Sequence, residues 1–248
     1  MIRYEARPPR ATLTIDDPQR RNPLSAEAMR ELGEGMEQAA SDPEVQVIVV
    51  TGAGDRVFSA GGDLKAGFVE ARGALADLLR AMRGGGKPTV ARVNGDALAG
   101  GFGLAAACDL VVAVETARFG TPEINVGLWP MMITAVLQRT MPHKVVLDLM
   151  MTGRLISAER AQQLGVVSRV VAPGDLDGVI DEVVAQLASK SPAVLRLGRD
   201  AFYSVEDLDF DAALDRLQVG LGDVALTEDA AEGRAAFLEK RPPRWKGR

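Results

Sequence analysis

Two glycine-rich segments and one acidic turn hold the residues of this chain whose types and spacing could do chemistry. The first segment is Phe58–Ser59–Ala60–Gly61–Gly62–Asp63–Leu64–Lys65. The second is Asn94–Gly95–Asp96–Ala97–Leu98–Ala99–Gly100–Gly101–Phe102–Gly103, and the turn is Pro122–Glu123. Both segments follow an expected strand and precede an expected helix, where backbone N–H groups are unpaired and point outward. Glycine lets such a backbone come close to a ligand oxygen. Two N–H donors converging on one oxygen would form an oxyanion hole, a large stabilising contribution in acyl chemistry. On residue types alone, the plainer reading comes first: two tight turns of the kind every α/β fold needs.

The other usual chemistries find little support. His143, between Pro142 and Lys144, is the single histidine, and no G-x-S-x-G elbow accompanies it. It reads as a surface residue at a helix entry. Cys108 lies between Ala105–Ala107 and an apolar run, and reads as a small buried hydrophobe. No H-E-x-x-H or C-x-x-C occurs, so no metal site is expected. Gly52–Ala53–Gly54 could begin a dinucleotide fingerprint, but Val57 stands where its third glycine would be. The basic end, Lys240–Arg241 with Arg244, Lys246 and Arg248, could attract a phosphate or simply be solvated.

The elements that would position these residues alternate. Ile2–Tyr4–Ala6 and Ala11–Ile15 read as strands. Ser25 is a candidate N-cap for a helix carrying Met29, Leu32 and Met36, stopped at Asp42–Pro43. Val45–Val50 is short, β-branched and nearly all apolar, which predicts a buried strand ending in a turn at Thr51–Gly54. A helix over Ala74–Met82, a strand over Thr89–Val93, a helix from Leu104 and a strand over Leu110–Val114 follow. Helices are expected at Met131–Leu137 with Pro130 at the first position, at Val145–Met151, and from Ser157 to Gly165. Val166–Val171 is the last expected strand, and from Leu176 onward only helices are expected. Phe210, Ala213, Leu214, Leu217 and Leu221 form one stripe there. The alternation favours an α/β class with a helical appendage suited to oligomerisation. An α/β core over 1–190 and a helical region over 191–248 are the expected division.

Composition narrows the function classes. The chain has 248 residues, enough for a sizeable core, and 47% hydrophobic with 25% charged residues is ordinary for a globular protein. A net charge of −5 gives no overall pull towards nucleic acid. One cysteine cannot form an intrachain disulfide, which favours a reducing compartment, the cytoplasm. No apolar run reaches membrane-spanning length, and the charged, strand-like start does not read as a signal peptide.

The motifs taken together are more specific than any one of them. F-S-A-G-G-D-L-K, N-G-x-A-x-A-G-G, C-D-L, F-G-T-P-E-I and T-G-R-x-I-S-A-x-x-A-x-x-L-G-V-V occur in that order. This resembles the enoyl-CoA hydratase/isomerase (crotonase) superfamily, from about Ile2 to Lys246. The resemblance implies a spiral of ββα repeats with a C-terminal helical trimerisation region, assembled as a homotrimer or a dimer of trimers. It implies an acyl-CoA thioester as substrate and no cofactor beyond that coenzyme A. Carried over by motif, the N–H groups of Gly62 and Gly100 would hold the thioester oxygen. Ala60, Asp63, Leu64 and Lys65 fall where the family lines its coenzyme A cleft. Arg20 and Arg21 fall near its adenine and phosphate contacts, and Phe237 and Lys240 match C-terminal positions that reach coenzyme A.

The family's hydratases use two glutamates, one in the second glycine loop and one in the P-E turn. Glu123 matches the second, with apolar Ile124, Val126, Leu128 and Trp129 near enough to desolvate it and make it a stronger base. Gly103 stands in place of the first. One base suffices to move a proton from C2 to C4 of a 3-enoyl-CoA, so the resemblance leans to double-bond isomerisation over hydration. The alternative is an acyl-CoA-binding protein that has lost efficient turnover. Leu128–Trp129–Pro130–Met131–Met132 replaces a glycine-rich stretch of typical hydratases, so Trp129, Met131 and Met132 would narrow the acyl pocket or belong to the core. Asp96 remains a possible substitute carboxylate.

Overall fold

The structure is a computed structural model and describes residues 1–63 and 68–248. Ile2–Arg7 (β1) and Arg10–Ile15 (β2) form an antiparallel hairpin. Pro23–Leu24 (β3) precedes helix α1 (Ala26–Ser41). Ser25 caps that helix, its Oγ accepting the Ala28 N–H at 3.1 Å, and Met29, Leu32 and Met36 are buried. Val47–Gly52 (β4) is buried along its whole length, as expected of a parallel strand covered on both faces. It runs on through Thr51 and Gly52, where a turn was expected, because both residues continue the ladder against Thr14 and Ile15.

Val57–Ser59 (β5) and Gly61–Gly62 (β6) turn the first glycine segment into two short strands, and α2 (Phe68–Gly84) follows. Next come Thr89–Val93 (β7), Asp96–Leu98 (β8), α3 (Gly100–Ala106) and Leu110–Val114 (β9). Helix α3 begins four residues before the expected Leu104, so the second glycine segment is itself the first helical turn. Arg118–Gly120 (β10) leads into a 3-10 turn, Pro122–Val126. Helices α4 (Met131–Thr140) and α5 (His143–Thr152) follow, with Pro130 as the N-cap of α4 and not its first residue. Then come Leu155–Ser157 (β11), α6 (Ala158–Gln163) and Arg169–Val171 (β12). The last strand is shorter than Val166–Val171 because the Val166 and Val167 N–H groups both turn back to the Ala161 carbonyl.

Among the described residues, the largest sheet runs β1-β2-β4-β7-β9-β12, parallel after its first pair. A second sheet runs β11-β10-β8-β5, in which β5, β8 and β10 are mutually parallel. In the large sheet, strands join in chain order, and this winds the chain into the spiral of ββα turns that the resemblance implies. Phe58, Phe102 and Phe119 are fully buried behind the glycine segments, the last two in edge contact at 5.5 Å. No helix among the described residues is long and apolar enough to cross a membrane.

The chain ends in α7 (Leu176–Ala188), α8 (Pro192–Ser204), α9 (Phe210–Ala225) and α10 (Glu228–Glu239). One carboxylate joins α8 to the spiral. Asp109 accepts the Thr89 N–H and hydroxyl at 2.7 and 2.9 Å, Arg199 Nε at 2.8 Å and the Tyr203 hydroxyl at 2.7 Å. Arg199 also donates to the carbonyls of Arg83 and Met82, the last turn of α2. Removing one partner of such a largely buried pair leaves the other uncompensated. Asp109→Asn is therefore expected to cost about 3 kcal/mol in urea unfolding. Amide exchange should show α8 opening before β7 and β9.

Candidate active site

The site is an edge where three parallel strands end. Strands β5, β8 and β10 lie side by side, so the segments that leave their carboxyl ends emerge together. Those segments carry Gly62, Gly100 and Glu123. Three hydrogen-bonded features hold them in place. The Ser59 hydroxyl donates to the Asn22 carbonyl at 2.8 Å, and its oxygen accepts the Gly61 N–H at 3.1 Å. The Ala60 N–H donates to the Arg21 carbonyl, and β6 pairs with β3 at Pro23 and Leu24. The Ala99 N–H donates to the Gly120 carbonyl at 2.9 Å, which ties the start of α3 to the strand leading to Glu123.

The two glycine segments meet backbone to backbone. Gly61 has φ +89°, and a Cβ there would lie 2.8 Å from the Gly100 nitrogen and 2.5 Å from the Ala99 Cβ. A Cβ at Gly100 would lie 3.7 Å from the Gly62 nitrogen. Gly62 and Gly100 are therefore neighbours, with Gly100 at the first position of α3, where the N–H has no partner within the helix. Ala99, just before it, holds φ +53° and ψ −130°, a conformation glycine accepts and alanine adopts at about 1–3 kcal/mol. Sequence reasoning passed over Ala99, Ser59 and Asn22. The S-A-G-G run was a visible signal for Ser59, but nothing local marks Ala99 as strained.

Glu123 lies in the first turn of the 3-10 segment. Its Oε2 is buried and finds no hydrogen-bond partner among the described residues, and the same holds for the neighbouring Thr121 hydroxyl. Burial pushes the Glu123 carboxyl up to about 7, against a smaller opposing effect of its own backbone N–H. An acid near neutrality is suited both to take and to return a proton. Not all of the expected apolar surroundings are inward: Val126 and Met131 are largely exposed and Trp129 is partly so. Met132 packs against the core.

The remaining candidates divide. Arg20 and Asp63 come together, Nη2 to Oδ2 at 2.5 Å, and Arg21 is exposed beside them. Leu64 and Lys65 lie outside the described residues. Phe237 lines a groove of about 530 Å³ with Val194, Val224 and Trp245, and no residue of the glycine segments lines it. Lys240 caps α10 with φ +54°. Several charges of the basic end are paired: Arg241 grips Glu232 and Glu239, while Lys246 and Arg248 both pair with Glu228. Asp96 is committed elsewhere, accepting the Arg118 N–H at 3.0 Å and its guanidinium at 3.1 and 2.6 Å. Cys108 is buried, and burial pushes its thiol up, away from reactivity. The surface position expected of His143 is found, at the start of α5.

Known proteins are similar to this chain over nearly their whole length. The chain is 35% identical over 248 residues to carnitinyl-CoA dehydratase of Escherichia coli, covering 95% of this chain and 94% of that one. The crystal structure of human enoyl coenzyme A hydratase domain-containing protein 3 superposes with a TM-score of 0.95 at 31% identity, over 98% of this chain and 99% of that one. Enoyl-CoA hydratase of Mycobacterium smegmatis superposes with 0.94 at 34% identity, over 98% of both chains. The enoyl-CoA hydratase/isomerase profile itself matches residues 10–248, and with the spiral and the paired glycine segments in place, the chain belongs to that family.

Proposed function

We propose that this protein moves the double bond of a 3-enoyl-CoA thioester, with Glu123 as its single acid/base. The Gly62 and Gly100 N–H groups would hold the thioester oxygen. Ionised Glu123 takes a proton from C2, the negative charge settles on that oxygen, and fixed N–H dipoles stabilise it without reorganising. Protonated Glu123 then returns the proton at C4, leaving the 2-enoyl product. One group carries one proton throughout, so no second carboxylate and no cofactor beyond the substrate's coenzyme A is required. The observation that carries this reading is Glu123 itself, with one oxygen buried and its carboxyl raised to about 7.

Coenzyme A would lie along Arg20, Arg21, Ala60, Asp63, Leu64 and Lys65, with Trp129 at the acyl end and Phe237 and Lys240 reaching over from α10. Arg20 has five N–H donors, so its pair with Asp63 leaves others for a phosphate. The unit would be a homotrimer or a dimer of trimers in the cytoplasm. The largely exposed apolar residues of α9, Phe210, Leu214 and Leu221, support the assembly. The name of the Escherichia coli relative favours a second reading, in which water is added to or removed from an acyl-CoA.

Purified protein given 3-enoyl-CoA and 2-enoyl-CoA separately decides between them. Conversion of the first to a conjugated thioester of unchanged mass is expected. A product heavier by one water from the second, formed at the faster rate, would replace isomerisation by hydration. Thioester binding with neither conversion would mean a binding protein.

A further inference from the structure

Two buried oxygens of the acidic turn are left unpaired by the fold. Thr121 is 0% exposed, and its hydroxyl finds no hydrogen-bond partner among the described residues; nor does Oε2 of Glu123, two positions on. A buried hydroxyl without a partner is costly, and native structures keep few of them. Thr121 is the N-cap of the 3-10 segment, with Pro122 at its first position. A threonine in that place ordinarily turns its oxygen to the second or third N–H, here those of Glu123 and Ile124. Thr121 makes no such bond. The Glu123 N–H acts instead on the carboxyl of its own residue, drawing that acid down against burial. Hydroxyl and carboxyl thus share the neighbourhood of one N–H. The carboxyl takes it, and the hydroxyl keeps a proton to give.

Among the described residues, no charged group fills this role. Helix α5 packs on the turn and carries His143, Lys144 and Asp148. The first two are exposed at its start, and Asp148 pairs with Arg154. On the neighbouring strands Asp96 pairs with Arg118, and on α4 Arg139 pairs with Asp207. Asp63 of the first glycine segment pairs with Arg20. Burial and its own N–H set the acidity of Glu123, with no contribution from these charges.

We propose that Thr121 is a positioning residue for Glu123: its hydroxyl donates to Oε2 as the carboxyl ionises and releases it when the carboxyl is protonated. The proposal rests on the reading of Glu123 as the proton carrier and deepens it. A hydrogen bond to a charged acceptor is stronger than one to a neutral acceptor, so such a donor favours the ionised form. It also holds the carboxylate in one orientation between taking a proton and returning it. The hydroxyl can serve both states because it turns between staggered positions about χ1.

Titration of the Glu123 carboxyl by carbon NMR, assigned by its loss in Glu123→Gln, tests this without turnover. Thr121→Val keeps the shape of the side chain and removes the hydroxyl. Its midpoint is expected about one pH unit above that of the wild type, about a tenfold change in proton affinity. Thr121→Ser keeps the hydroxyl and loses the methyl group, and is expected to titrate with the wild type. Packing alone would give the reverse, with valine matching the wild type and serine departing from it. An unmoved midpoint in Thr121→Val, or an equal rise in Thr121→Ser, would overturn the proposal. Thr121→Ala, also without a hydroxyl, carries the same test where valine does not fold. The rising limb of kcat/KM against pH should move with the midpoint. If the midpoint moves but the wild type does not convert 3-enoyl-CoA, the isomerase reading falls and the pairing of Thr121 with Glu123 stands.

Discussion

Glu123→Gln is expected to lose conversion of 3-enoyl-CoA by about 10³-fold or more, the scale of a positioned proton carrier, and to melt higher than the wild type at pH 8. The two results have one cause. The carboxyl is held near 7 by burial, against an unfolded value of 4.5. The folded state therefore binds more protons than the unfolded state between those values, and stability falls as pH rises through that window. Above 7 the ionised group is a standing cost, on the order of 2 kcal/mol once its partial solvent access is allowed for. Glutamine is neutral and removes it. The gain in Tm should vanish below pH 4.5, where the native carboxyl is protonated in both states. In the wild type, kcat/KM should rise with pH through about 7, since the base must be ionised to start. A variant that melts lower at pH 8, or keeps its turnover, would contradict this account of Glu123.

Gly61→Ala should reduce kcat by about 10²–10³-fold, the effect of losing one oxyanion donor, although the residue is not itself one of the two candidate donors. Its φ of +89° disfavours any side chain, and the new Cβ would sit 2.5 Å from Ala99 Cβ and 2.8 Å from the Gly100 nitrogen. One glycine segment must move away from the other, and the Gly62 and Gly100 donors separate. Adding Ala99→Gly removes the nearer obstacle and should recover part of the rate. If Gly61→Ala retains full kcat while losing Tm, close approach of the two segments serves the fold and not the reaction.

Much of the scaffold was legible because its physics is local. The Ser25 cap, the Met29–Leu32–Met36 stripe and the apolar run of β4 each report their own structure. What escaped was set by distant partners. The short strands β5, β6, β8 and β10 carry too few residues to show a period, and they exist because they pair with one another. Gly103 was visible as a missing glutamate, but its neighbour Ile133 is thirty positions on and meets it only when α3 and α4 pack. The stripe on α9 was read correctly as apolar, yet it faces outward, since amphipathic spacing does not say what covers a face. Pairing within the basic end was hidden for a related reason. The charges of Arg241, Lys246 and Arg248 are plain in the sequence, but the α10 glutamates that pair with them belong to another element.

The parallel pairing of β5 with β8 has a metrological consequence. The two candidate donors follow those strands closely, Gly62 three residues after Ser59 and Gly100 two after Leu98. Adjacent strands in any sheet stand about 4.7–4.9 Å apart. The gauge of the candidate oxyanion cradle would thus follow in part from the peptide ladder, a constant of backbone chemistry, with the Ser59 hydroxyl and the side-chain-free Gly61 completing it.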